Sequence, residues 1–259
     1  MILTFLGDHV YGRGICVSSR SFIEAFARVG VSEEATRSTL TRMVGRGLLR
    51  RRRAGRRMYF GLTPTSAEVL RDGERRIWHT GVVNDAAEDR WTLIGFSLPE
   101  SWQRQRHELR SRLAWAGFGP LRNGLWIAPG EVDVTEVIDG LGGNVKVFAA
   151  EPRHPTDMQA LVRDAYDLEG LGRRYREFLH RWDRADPAPE APDDLARSLT
   201  LLTGWLQIIR TDPRLPLRHL PDDWPAEKAQ QVCRTLHERF RPEAAAVAER
   251  LLDTIPDEP

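Results

Sequence analysis

One stretch constrains this chain more than any other. From Ala35 to Ala67 there are nine arginines and no acidic residue, and they fall on a pattern of short elements rather than on a featureless tail. Phe22, Ile23, Phe26 and Val29 recur at helical spacing and predict a helix over 21–29. Gly30 breaks it at a left-handed C-cap position. Ser32 is a natural N-cap for the next helix, and Glu33 and Glu34 favour its positive end. That helix runs to about Arg46, with Thr36, Leu40, Met43 and Val44 as its inner stripe. Arg37, Ser38, Thr41 and Arg42 share the opposite face. Two helices about a glycine turn make a helix-turn-helix. After Gly47, Leu48-Leu49 opens a strand, and Arg50–Arg53, Ala54-Gly55, Arg56-Arg57 and Met58-Tyr59-Phe60 describe a hairpin with a charged tip. With the apolar segment Ile2–Val10 as a first helix, residues 1–80 are expected to form a winged helix-turn-helix.

Such an arrangement reads double-stranded DNA. The second helix would enter a major groove, where Arg37 and Arg42 can each bond a guanine edge through two donors, while Ser38 and Thr41 reach bases or phosphates less selectively. Arg50, Arg51, Arg52, Arg53, Arg56 and Arg57 would supply sequence-independent grip on phosphates, and Arg46 is a further expected DNA contact. The plainer reading of an arginine run is a solvated surface, and the helix pair in front of it favours DNA. The net charge of +1 hides a split. Residues 1–80 hold 15 Arg against 7 acidic groups, whereas residues 81–259 hold 23 basic against 30 acidic groups. Near-neutrality therefore excludes only a protein that coats nucleic acid along its whole length.

Other classes fall away on composition. Apolar residues at 41% and charged residues at 29% are ordinary for a globular chain and exclude wholesale disorder. Apolar runs stop far short of the roughly 20 residues needed to cross a bilayer, and no secretory signal opens the chain. Cys16 and Cys233 stand far apart with no C-x-x-C, so neither a disulfide framework nor a zinc site is expected, and a cytoplasmic setting is. There is no G-x-S-x-G, Walker loop or G-x-G-x-x-G. Gly140-Leu141-Gly142-Gly143 lacks phosphate-loop spacing and is expected to turn helix into strand. No enzymatic constellation, metal or cofactor site emerges.

Residues 81–90 are polar enough for a linker. Beyond them, Trp91–Leu98 reads as a strand closed by Pro99, and Glu100–Trp115 as a helix. Phe118–Leu121 and Leu125–Ala128 read as strands about the turn Arg122-Asn123-Gly124, Val132–Leu141 as a short helix, and Asn144–Ala150 as a last strand. The order βαββαβ over 91–152 is the ferredoxin-like plan. Residues 153–259 are expected to be helical. Leu168, Leu171, Tyr175, Phe178, Leu179 and Trp182 mark one amphipathic helix, and Leu195, Leu199, Leu202, Leu206 and Ile209 mark another. A connector with Pro187, Pro189 and Pro192 separates them. A long non-helical stretch spans Asp212–Pro225, and two last helices are expected at about Ala226–Arg241 and Glu243–Leu252, with Pro225 and Pro242 in first-turn positions. The fold class is thus α+β.

The residues Leu6-Gly7-Asp8, Gly30-Val31-Ser32-Glu33 through Arg37 and Leu40, Gly47-Leu48-Leu49, and Gly55-Arg56-Arg57-x-Tyr59-x-x-Leu62-Thr63 resemble the PaaX-type bacterial transcriptional regulators. The Asp-Pro-x-Leu-Pro…Leu-Pro-x-x-Trp-Pro pattern from Asp212 resembles the C-terminal signature of the same family, so the likeness covers nearly the whole chain. It implies a homodimeric repressor of a catabolic operon, phenylacetic acid catabolism in the type case, released by a small-molecule effector such as an aryl-acyl-coenzyme A. The proline segment either packs irregularly between helices or walls an effector pocket with Trp205, Arg210 and Trp224. The middle domain is similar to small CRISPR-associated endonucleases, which implies as an alternative a metal-dependent nuclease. Those enzymes keep an aspartate at the end of the first strand, and Phe96-Ser97-Leu98-Pro99 supplies none; Glu100 reads as a helix-start residue. A third reading is an effector-blind architectural DNA binder.

Overall fold

The computed structural model of the 259-residue chain describes residues 1–84, 89–141 and 144–257. Residues 85–88 of the expected linker, and Gly142 and Gly143 of the expected turn, lie outside the described residues. In chain order the elements begin with α1 (Ile2–His9), β1 (Ile15–Ser18), α2 (Ser19–Ala27), α3 (Glu33–Gly45), β2 (Leu49–Ala54), β3 (Arg57–Leu62) and α4 (Pro64–Glu74), which continues into a π-helical turn at Arg75–Thr80. Next come β4 (Trp91–Phe96), α5 (Gln103–Trp115), β5 (Gly119–Arg122), β6 (Leu125–Pro129) and β7 (Val145–Ala150). The remainder is α6 (Met158–Ala165), α7 (Leu168–Trp182), α8 (Asp194–Ile209), α9 (Ala226–Leu251) and β8 (Thr254–Pro256).

The chain folds into two compact units, each assembled from separated stretches. The first comprises Met1–Gly81, Phe178–Ile209 and Lys228–Pro259, and the second Val82–Glu177 and Arg210–Glu227. Residues 153–259, expected as one helical region, are therefore shared between the two units.

In the first unit the local signals do what their chemistry dictates. The Ser32 hydroxyl accepts from the Ala35 amide at 3.2 Å and starts α3. Gly30 takes a φ of +78° after α2, the left-handed region where a Cβ is disfavoured. Thr63 and Ser66 form a reciprocal capping box at the head of α4, with Pro64 in the first turn. The core gathers Phe5, Leu6, Phe22, Phe26, Leu40, Leu49 and Phe60, with Leu195 and Leu199 of α8 and Ala244, Val247 and Ala248 of α9. Its sheet has the order β2-β3-β1-β8. The edge strand β8, from the far end of the chain, pairs antiparallel with β1 through Cys16↔Ile255.

The expected break at Pro242 does not occur: α9 is one helix with Pro242 inside it. Proline has no N–H to offer the preceding turn. Packing offsets that loss, because Leu236, Phe240, Ala244, Val247 and Ala248 are all buried on one side of the same helix.

The second unit is built on an antiparallel sheet of order β5-β6-β4-β7. One face carries Ile94, Trp126 and Val145 against Leu109 and Leu113 of α5 and the segment from Val132 to Leu141. That segment is a run of turns, not the helix its apolar spacing suggests. The Asp133 carboxylate captures the Thr135 amide at 3.0 Å and hydroxyl at 2.7 Å, an Asx turn that competes with helix among β-branched neighbours. On the other face Trp91 and Ile127 pack with Met158, Val162 and Ala165 of α6 and with Leu215 and Leu220. The proline-rich stretch is thus non-helical as expected, apart from a 3₁₀ turn at Leu217–His219, and it covers a sheet. The Tyr175 hydroxyl of α7 bonds the Asp212 carboxyl at the start of this stretch. At the described end of the linker, Asp89 accepts from Trp91 Nε1 at 2.9 Å and meets His219 Nε2 at 2.9 Å.

Candidate nucleic-acid interface

All eleven residues singled out from the sequence as DNA contacts are exposed. On α3, Thr36, Leu40 and Met43 point into the core, which leaves Arg37, Ser38, Thr41 and Arg42 outward at complementary helical positions. Their side chains are held by local contacts. Arg37 Nε donates to Glu33 at 2.8 Å, Arg42 donates to Thr39 Oγ1 at 3.0 Å, and the Thr41 hydroxyl donates to the Arg37 carbonyl at 2.9 Å. The Arg37–Glu33 pair is solvent-exposed, 57% and 60% for the two side chains. Such an i,i+4 pair is worth about 0.3–0.5 kcal/mol, less than the roughly 1–3 kcal/mol of a two-donor contact to a guanine edge. A groove contact can therefore displace it.

The hairpin divides its arginines by strand parity. Residues directly opposite in an antiparallel pair share a face of the sheet. Arg51 lies opposite Phe60 and Arg53 opposite Met58, so both project from the face whose core residues Leu49 and Phe60 pack with α3. Arg50 lies opposite Gly61 and Arg52 opposite Tyr59, while Ala54 pairs Arg57 at the tip. These belong to the other face. The loop is Gly55-Arg56, with Gly55 at a φ of +59°, the first-position glycine of a two-residue hairpin turn.

The two faces differ in their electrostatics. On the second, Arg50 Nε donates to Asp257 at 2.8 Å, Arg57 donates to Asp253 at 2.8 Å, and Arg52 donates to the Pro256 carbonyl at 3.0 Å. Tyr59 donates to the same Asp253 at 3.2 Å, and the Cys16 thiol to Asp257 at 2.9 Å. Burial pushes the Asp257 carboxyl up, but the bonds from Arg50 and Cys16 outweigh it and leave the group below the usual carboxylate range. Burial, then the bond to Asp257, pushes the Cys16 thiol up to about 11. Arg46, Arg51 and Arg56 have no ion pair among the described residues. Arg53 Nε donates to the Gly55 carbonyl at 3.1 Å. The hairpin arginines, one class by sequence, fall into two in the structure. Nothing local to the hairpin signals this, since the carboxylates come from residues some two hundred positions away.

Trp205 is 1% exposed and packs on Phe178, ring centres 5.3 Å apart, within the first unit. Trp224 meets Tyr175 edge-on at 6.3 Å within the second, the unit that also holds Arg210. Among the described residues no group of three His, Cys, Asp or Glu side chains is placed to hold a metal ion, and no helix is long and apolar enough to cross a membrane.

Comparison with known proteins divides the chain into three consecutive stretches. Three family models match in turn: PaaX-like protein over residues 1–66, PaaX protein central Cas2-like domain over 84–162, and PaaX-like protein C-terminal domain over 166–250. This chain belongs to the PaaX family. The transcriptional repressor PaaX of Escherichia coli (strain K12) is 25% identical over 261 residues, covering 95% of this chain and 81% of that protein. Among solved structures, the uncharacterized protein Rv0674 from Mycobacterium tuberculosis shares the fold, with a TM-score of 0.64, 23% identity and 96% of each chain covered. The PaaX central-domain match spans the sheet β5-β6-β4-β7, and the PaaX-like N-terminal match spans α3 and the arginine hairpin.

Proposed function

We propose that this chain is a DNA-binding transcriptional repressor, with residues 1–80 acting as a winged helix-turn-helix. The observation that carries the reading is the exposed surface made by α3 and the first face of the hairpin, in a member of the PaaX family. Arg37, Ser38, Thr41 and Arg42 read base edges, and Arg46, Arg51, Arg53 and Arg56 hold phosphates. The ferredoxin-like domain at 91–152 and the helices of 153–259 carry dimerisation and effector sensing. A homodimer in the cytoplasm binds an inverted repeat, its half-sites spaced by whole helical turns. The effector, an aryl-acyl-coenzyme A or similar metabolite, releases DNA by binding the DNA-incompetent arrangement more tightly. A nuclease reading lacks a carboxylate at the end of β4, where Phe96-Ser97-Leu98-Pro99 stands.

The test is binding of the full chain, by fluorescence anisotropy, to duplexes tiling the intergenic DNA beside its own gene. A sequence-selective complex that forms without cleavage when Mg²⁺ is added is expected. Equal affinity for all tiles, or none, overturns the regulator reading, and cleavage restores the nuclease.

A further inference from the structure

We propose that the strand β8 is an anionic self-ligand of the hairpin, which occupies Arg50, Arg52 and Arg57 in the free protein and competes for them with DNA phosphates. The inference rests on the reading of the hairpin as a DNA-binding wing, and goes beyond it by assigning a restraint on that wing.

Three observations converge. First, β8 and the residues flanking it present acceptors to the guanidiniums of the hairpin. Two carboxylates and one carbonyl take one guanidinium each: Asp257 from Arg50, Asp253 from Arg57, and the Pro256 carbonyl from Arg52. Secondly, the fit is built into the sheet. Gly61 is the residue opposite Arg50, and a Cβ there would stand 2.7 Å from Cys16 Sγ and 2.8 Å from Asp257 Oδ1. A Cβ at this position would press on both side chains, and glycine leaves the Asp257 carboxylate its room. Thirdly, the strand is short. It is three residues at the sheet edge, with the Ser18 amide donating to the Asp253 carbonyl at 2.9 Å and the Asp257 amide to the Gly14 carbonyl at 2.8 Å. A three-residue edge strand is at the low end of local stability. The Arg57–Asp253 pair is itself open to solvent, 63% and 32% exposed, so screening weakens it as it weakens DNA phosphates. A duplex offers the same guanidiniums many phosphates and releases counterions as they bind. The competition therefore has two states, with β8 docked in the free protein and loosened when the wing engages DNA.

The experiment uses the full chain with Asp253→Asn and Asp257→Asn together, and a random-sequence 20-base-pair duplex as the probe. Asparagine keeps the shape and removes the charge. The expected result is affinity for the random duplex raised on the order of tenfold at 100 mM salt, with the salt slope steeper by about one for each guanidinium released. The pair Glu68→Gln with Glu238→Gln removes the same charge from exposed acidic residues elsewhere in the unit, and is expected to leave the slope unchanged. Equal gains in both variants would reduce the effect to bulk charge and overturn the proposal. Unchanged or weakened binding in the Asp variant would overturn it too, by making β8 a support for the arginines. Hydrogen exchange on the unmutated protein covers the case in which the variant does not fold. Exchange of the Asp257 amide is expected to quicken when the duplex is added, and exchange unchanged or slowed sinks the idea. If the unmutated protein binds no duplex at any salt, the wing reading itself is at fault.

Discussion

At the scale of single residues, the proposed interface gives base edges to α3 and phosphates to the hairpin. Arg37→Ala or Arg42→Ala is expected to weaken the preferred sequence by about 1–3 kcal/mol and random duplex far less, as measured by anisotropy on both. Equal losses on the two duplexes would move these residues from the bases to the backbone. Buried ionisable groups give a second test. Burial, then the Arg13 guanidinium, lowers the His9 imidazole to about 4, against an ordinary value of 6.5. The folded protein keeps this ring neutral while the unfolded chain protonates it below 6.5. The stability it contributes is present above that value and drains away as pH falls towards 4. Replacing His9 by Gln should flatten the fall in melting temperature between pH 7 and pH 4.5, and parallel curves would show that His9 titrates normally. Tyr175, fully buried, donates to Asp212, and burial first of all raises both groups. Tyr175→Phe leaves a largely buried acceptor short of a donor, and should cost about 1–3 kcal/mol in urea unfolding.

At the scale of elements, what was legible depended on whether the deciding chemistry was local. The helix α3 could be read because Ser32, Glu33, Glu34 and the stripe Thr36, Leu40 and Met43 all lie within it. The arginine hairpin could be read from Gly55 and its flanking strand formers. The turns at 132–141 could not, since Val132, Val134, Val137 and Ile138 are buried or half-buried as a helix face would be while Asp133 diverts the backbone. Pro242 misled for the opposite reason, as a strong local signal overruled by packing. Its replacement by Ala restores a donor at an exposed position, and should stabilise the protein by about 1–3 kcal/mol; no gain in a denaturant titration would place the helix's strain elsewhere. Three residues were never going to announce β8. Thr254-Ile255-Pro256 has no pattern of its own, and its identity as a strand exists only in its pairing with β1.

For the whole molecule, the sequence boundaries and the packing boundaries are different things. The family models divide the chain at about residues 66–84 and 162–166, yet each compact unit draws on both early and late residues. If an acyl-coenzyme A is the effector, a hundredfold excess over its dissociation constant should raise apparent stability by about 2.7 kcal/mol, visible in a thermal-shift series, and should lower operator affinity reciprocally. A panel of such esters that moves neither quantity would leave the effector-blind reading standing.

The pairing of β8 with β1 also sets a clock on biosynthesis. The nine arginines between Ala35 and Ala67 leave the ribosome before Asp253 and Asp257 have been added. At about 5–20 residues per second, that interval lasts on the order of ten to forty seconds. Through it the nascent chain shows the full cationic surface of the hairpin, next to a particle made largely of RNA, and β8, made after the other three strands of the first sheet, is the one that completes it.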